Sequence, residues 1–370
     1  MMKTEKPTQR LLFILIVCIA AIWSSAGCAS DYAIGVYYYP GWRSDYINWK
    51  DLKGLQGSRS PGKPWPEREP LLGYYPEEEP WVAKKHIEWA DKYGITFFAY
   101  DWYWDGKRPE YDHALVNFLK THDGNNVKYC LLWANHFPIP GTMGEFDAMV
   151  SYWINNYFVQ PSYYTVDNKP LVFIFSNVQL EVNARKFGES VRSLLKRADA
   201  AARGRGLNGI YFVVTTNDLP DDSLETKLLE QGFSAYTGWN YALTKGYRID
   251  DYAVMVQGYL GAYTAALKTT KKLPYIFSAS PGYDERPWLG ERAIVRHNPT
   301  PEQFENVLRG AKQAMDQEKR APKILMIEAW NEFGEGSYIE PTKKWGMTYL
   351  ETIHKVFHRP AMTPGIPAAP

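Results

Sequence analysis

Two carboxylates three residues apart, Glu332 and Glu335, sit in the run Glu328-Ala329-Trp330-Asn331-Glu332-Phe333-Gly334-Glu335-Gly336. Cleavage of a glycosidic bond takes two carboxyl groups with separate roles, one of them protonated to donate to the departing oxygen. Burial beside apolar rings, or a second carboxylate nearby, raises the pKa of such a donor. Trp330 and Phe333 are placed to supply that wall. Gly334 and Gly336 let the backbone bend so that both carboxylates face one cavity. An E-x-x-E pair alone is usually a solvated helix face; this pair is lifted by its place at the end of a strand-like run. Glu328 and Glu340 read as structural or supporting groups.

Other strand-like runs end in the same mixture of rings and hydrogen-bonding side chains. Tyr38 closes the first, Asp101 and Trp102 the second, Trp133, Asn135 and His136 the third. Tyr236, Trp239 and Asn240 close the sixth, and Trp330 and Asn331 the eighth. Sugar rings present apolar C–H faces and a rim of hydroxyls, which aromatic platforms and carboxylates or amides respectively satisfy. Aromatic residues make up 15% of the chain, enough to furnish such a surface. These eleven residues are therefore expected to bind a carbohydrate substrate. Arg286, Arg292, Arg296 and His297 cluster after the seventh run; a solvated loop is the plain reading, an anionic substituent on the glycan the sharper one.

The elements that must position these groups alternate. Apolar runs at Ala33–Tyr39, Ile95–Asp101, Val127–Asn135, Pro170–Ser176, Gly209–Thr216, Phe233–Asn240, Leu273–Ser280 and Ile324–Trp330 are separated by helical patterns at Trp81–Tyr93, Tyr111–Thr121, Glu145–Phe158, Ala184–Arg203, Ser223–Gln231, Asp251–Lys268, one opening at Thr300-Pro301, and Trp345–Phe357. Thr300 is an N-cap and Pro301 a first helical residue by type. Strands apolar on both faces, each followed by a helix, predict a parallel sheet. Eight such units predict a single (β/α)8 TIM barrel with extended βα loops over residues 31–358, its chemistry at the strand C-termini. An open doubly wound sheet would place a Gly-rich phosphate turn after the first strand, where this chain has Tyr38-Tyr39-Pro40-Gly41-Trp42.

The 370 residues carry 42 basic and 41 acidic side chains. So balanced a chain has no general field for nucleic acid. Lys3, Lys6 and Arg10, an apolar stretch from Leu11 to Trp23 and the small residues before Cys28 predict a secretory signal over 1–27. The Ala-Gly-Cys ending resembles a bacterial lipobox, which makes Cys28 the expected lipidation site and the envelope the expected location, with the membrane touched only through that anchor. Three cysteines make no disulfide framework, and no Cys/His set has zinc-ligand spacing. Residues 359–370 form a Pro-rich tail.

The segment I-E-A-W-N-E-F-G-E-G-S-Y-I-E-P, Ile327 to Pro341, resembles the eighth-strand loop of the glycoside hydrolase family 99 and family 71 superfamily, which includes WbsX-like proteins. Ile34–Trp42 and Trp81–Trp104 are similar to the same group. Phe333 and Gly334, where relatives tend to carry a tryptophan and a bulkier residue, put the loop nearer the WbsX-like branch. The resemblance implies an endo-acting, retaining hydrolase of α-mannosidic bonds that uses no metal or organic cofactor. Glu332 would act as base on the sugar 2-hydroxyl and Glu335 as general acid and then base, through a 1,2-anhydro sugar; the roles are also exchangeable. Two other readings stand beside a glycoside hydrolase: a non-catalytic surface glycan-binding lipoprotein, and a WbsX-like glycosyltransferase.

Overall fold

A computed structural model describes residues 31–136, 140–241, 246–270 and 272–358. The signal segment, Cys28 and the Pro-rich tail lie outside the described residues. Eight apolar runs form parallel strands: β1 (Ala33–Tyr38), β2 (Phe97–Trp104), β3 (Lys128–Trp133), β4 (Lys169–Ile174), β5 (Tyr211–Thr216), β6 (Ala235–Gly238), β7 (Tyr275–Ala279) and β8 (Ile324–Ile327). Each strand pairs with the next, and β8 and β2 both pair with β1, so the sheet closes into the expected (β/α)8 barrel.

The helices follow the apolar periodicity. They are α1 (Pro80–Tyr93), α2 (His113–Thr121), α3 (Met143–Tyr152), α4 (Asn177–Lys186), α5 (Val191–Arg203), α6 (Asp222–Gln231), α7 (Tyr252–Lys268), α8 (Pro301–Gln317) and α9 (Thr348–Phe357). Thr300 caps α8 reciprocally with Gln303, with Pro301 in the first turn, as their types dictate. The long helix expected at 184–203 is two helices. Gly188, at φ +72°, turns the chain, and Ser190 accepts from the Ser193 amide to start α5 afresh. None of the described helices is long and apolar enough to cross a membrane.

Two packing facts position the site. Inside the barrel, a Cβ on Gly35 would lie 2.2 Å from the Phe97 ring and 2.6 Å from the Met326 sulfur. Phe97 stacks in turn on Tyr164 at 4.1 Å. The lower interior is therefore filled, and the open end lies at the strand C-termini. Second, the loop between β1 and α1 is not slack. It carries a short helix, Asn48–Lys53, and builds its own apolar cluster from Trp42, Trp49, Leu52 and Tyr75 against Val82, Phe333 and Tyr338. This satellite core is bolted onto the segment that holds Glu332 and Glu335.

Candidate active site

Side chains alternate across a strand, so consecutive residues face opposite sides of the barrel wall. Gly35 sets the parity for β1: Tyr37, two residues on, faces inward, with its ring 4.5 Å from Trp239 and 5.5 Å from Phe173. In β2 the inward row holds Phe97, Ala99, Asp101 and Tyr103, because β2 runs three residues past its expected end and Asp101 lies within it. Glu328 follows the last residue of β8. Tyr37 reports who shares this space. Burial first, then the charges of Cys130, Asp101 and Glu328, push its pKa well above the phenol range.

The catalytic-loop candidate is a tight hairpin. Asn331 pairs with Tyr338 and Glu332 with Ser337, and Gly336 takes the left-handed conformation at φ +72° that closes the turn. Four carboxyl groups converge here. Glu332 is 7% exposed, and its Oε2 has no hydrogen-bond partner. Burial first, then Glu335, Asp101 and Glu328, raise its pKa well above the carboxylate range. Glu335 is raised by burial and by Glu328 and Glu285, with the Tyr283 hydroxyl pulling against the shift. Asp101 is raised by burial and by Glu335, and its Oδ1 is unpartnered. Glu328 accepts from the Ser337 hydroxyl at 2.7 Å; burial pushes its pKa up to about 8. Neighbouring like charges oppose one another's ionisation, the direction in which Glu332, Glu335 and Asp101 are shifted.

The hairpin is held from outside by buried polar groups of the β1–α1 loop and its neighbours. Arg68, 3% exposed, donates through Nη1 to the carbonyls of Phe333 (2.7 Å) and Asp284 (2.9 Å), and its Nη2 lies 2.8 Å from Asp284 Oδ2. Asp284 also donates its amide to the Glu335 carbonyl at 2.5 Å. Glu77 accepts from the Trp42 amide at 2.9 Å and lies 2.9 Å from His113. Glu340, 1% exposed, accepts from the Tyr75 hydroxyl at 2.8 Å and lies 3.2 Å from His86, a supporting place like that of Glu328. These bonds satisfy groups that would be costly to bury alone and fix the carboxylates' backbone.

The expected site residues divide sharply. The structure brings together Glu332, Glu335 and Asp101, with Trp239 half-buried on the wall. His136 is exposed at the rim, 4.9 Å from Phe175 and 6.1 Å from Tyr103. Asn240 is 6% exposed. Seven others are corrected. Tyr38 bonds His86 Nδ1 at 3.1 Å and packs on Tyr100, outside the barrel under α1. Trp102 donates to the Tyr157 hydroxyl at 3.1 Å and stacks on Trp104. Trp133 packs on Trp153 and Phe146. Tyr236 donates to Glu225 of α6 at 3.0 Å. Trp330 is fully buried against Phe98 and His86. The first four have the wrong parity, and Trp330, beyond the end of β8, is outside the strand; all five fill the layer between strands and helices. Asn135 exchanges two bonds with the Ser176 backbone, at 2.7 and 2.8 Å. Asn331 likewise bonds the Tyr39 amide and carbonyl, both at 2.9 Å. Both amides are spent on backbone.

The wall expected from Trp330 and Phe333 comes instead from Tyr39, Tyr103, Tyr283 and Trp288. Phe333 is buried in the loop cluster. Glu332 raises the pKa of both Tyr39 and Tyr103 after burial, and Glu335 that of Tyr283. Trp288 lies over Gly334: a Cβ there would be 1.9 Å from its ring, so the glycine is required by the tryptophan. The arginine cluster disperses. Arg286 pairs with Asp284 at 2.7 Å, and Arg296 donates to the carbonyls of Tyr247 and Val295. Tyr37 was legible: a glycine inside an apolar strand marks a crowded face, and Tyr37 shares it. Trp288 and Arg68 carried no local signal.

The family model described as glycosyltransferase WbsX matches residues 46–137 and 143–353. A Xanthomonas campestris protein described as uncharacterized protein WxcX is 20% identical over 352 positions, covering 86% of this chain and 47% of that one; the chain spans about half the length of the curated relatives it matches. A solved structure described as a glycoside hydrolase-like protein superposes with a TM-score of 0.64 at 16% identity over 90% of this chain and 95% of its own. The GH99 endo-α-mannosidase from Bacteroides thetaiotaomicron, solved with bis-tris-propane, does so at 0.59 and 17%, over 88% and 95%. At these identities the likeness is one of fold.

Proposed function

The chain belongs to the WbsX family, and from that premise and its cluster of four carboxylates we propose that it is a glycoside hydrolase acting on a polysaccharide or glycan. The observation that carries the reading is the placing of Glu332 and the half-buried Glu335 in one hairpin beside a wall of rings, with both pKa values raised by burial and by neighbouring carboxylates. Raised protonation is what a general acid needs at neutral pH, and a shared proton lets one member ionise as the other keeps it.

Glu335 donates to the departing oxygen. Glu332, relieved of repulsion while Glu335 is protonated, takes the proton from the sugar 2-hydroxyl, whose oxygen closes onto the anomeric carbon. Water then opens the 1,2-anhydro ring with Glu335 taking its proton, Glu332 returns its own proton to the 2-oxygen, and configuration is retained. Asp101 and Glu328 set the proton inventory of the pair. The fold likeness to an endo-α-mannosidase and the matched W-N-E-x-x-E-G loop support an α-mannoside-containing chain. Export through the 1–27 segment and acylation of Cys28 would present the domain in the cell envelope; acyl-group labelling lost in Cys28→Ser tests that part. The central test is hydrolysis of α-mannans, α-glucans and acidic polysaccharides by the mature domain beside Glu332→Gln and Glu335→Gln. Oligosaccharide release by the parent alone is expected, and full activity in Glu335→Gln would sink the reading.

A further inference from the structure

A groove of about 310 Å³ opens at the C-terminal ends of β4, β5 and β6, on the far side of Trp239 from the carboxylates. It is at the lower end of the roughly 300–1,000 Å³ of small-molecule sites, the scale of one sugar ring rather than a large ligand. Its walls have two characters. Phe175 and Trp239, edge to face at 5.1 Å, give it an aromatic side. Asn177, Asn217 and Asp218 give it a polar rim. Asn217 and Asp218 are exposed and Asn177 is half-buried. The one lysine at its edge, Lys227, lies 2.8 Å from Glu181 and is already neutralised. Trp239 belongs to both spaces: its ring lies 4.5 Å from Tyr37, whose hydroxyl shares the interior with Asp101 and Glu328.

We infer that this groove is a subsite for a further, uncharged sugar unit of the same chain, which straddles Trp239 between the groove and the carboxylates. The inference rests on the proposed action on glycans and deepens it. An aromatic floor buries a sugar's C–H face while amide and carboxylate groups bond its hydroxyls. Asp218 disfavours a uronic acid there. A chain read on both sides of Trp239 is cut internally.

Calorimetry on Glu335→Gln protein with α-manno-oligosaccharides of two to six units tests the subsite apart from catalysis. Affinity is expected to rise roughly tenfold or more with length and then level off. In Trp239→Ala, and independently in Asn217→Ala/Asp218→Ala at exposed positions that the fold does not need, that rise is expected to flatten. A length dependence unchanged in the double variant overturns the subsite, even where the parent hydrolyses mannan. Length-dependent binding with no turnover by the parent leaves the subsite standing and removes the hydrolase. No binding at any length overturns the subsite as a mannoside site.

Discussion

The barrel mouth has two unlike halves. Around β8, β1 and β2 the polar groups that hold the hairpin are tied: Arg68 to the Phe333 and Asp284 carbonyls, Asn331 to Tyr39, Glu77 to Trp42, and Glu340 to Tyr75. After β4 and β5 the loops are short, and the rim leaves Asn217 and Asp218 in solvent beside an open groove. The carboxylates sit on the bolted half. Preorganised groups lose no entropy when the reaction begins, whereas a long, varied ligand is best met by an open surface. On the proposed function, that difference puts chemistry and chain recognition on different arcs of one ring, with Trp239 at the seam.

The sharpest way to break this contrast is at the pair itself. Glu335→Gln keeps the shape and removes the proton, so kcat is expected to fall about 10²–10⁴-fold with substrate affinity retained. Next is the bolt. Arg68→Ala leaves Asp284 paired with Arg286 alone and takes the donor from the Phe333 carbonyl. Losing those buried bonds is expected to cost about 1–3 kcal/mol, and displacement of the carboxylates to lower kcat by about 10²-fold. Denaturant unfolding and initial rates read the two effects, and a variant of unchanged kcat would show that the hairpin holds itself.

Parity gives the third contrast. Trp102→Ala empties the layer beneath α3 and is expected to cost roughly 3–5 kcal/mol with KM unaltered, while Trp239→Ala raises KM for long oligosaccharides with little loss of stability. Equal effects of the two on KM would contradict the inward and outward assignment. The smallest effect is electrostatic. Glu328 has its folded pKa raised to about 8 from 4.5, so the native state binds the extra proton. Its contribution is intact at acid pH and is lost as pH rises from the unfolded value through 8. Glu328→Gln removes that loss: the thermal midpoint is expected to match the parent at pH 4 and exceed it by about 2–4 °C at pH 9. A uniform shift at both pH values would refute burial of that charge.

Much of this was legible before any coordinates. Apolar runs of strand length alternating with amphipathic helices dictate a parallel closed sheet, and Thr300-Pro301 marks its own helix start. Glu332 and Glu335 stood out because a strand end and two glycines framed them. Helix continuity was misread at Gly188, because apolar periodicity resumes in α5 as if unbroken.

What the sequence by itself determined is the order of elements and the closed barrel they build, with Glu332 and Glu335 just past the end of its eighth strand. Only the tertiary structure decided which neighbour of each pair faces inward: Tyr37 rather than Tyr38, Asp101 rather than Trp102. A strand buried on both faces is apolar on both, so alternation leaves no trace in composition. It also decided that Trp288 and Arg68, separated from the hairpin by tens to hundreds of residues, cover and clamp it, for such contacts exist only once the barrel has closed and brought distant loops to one rim.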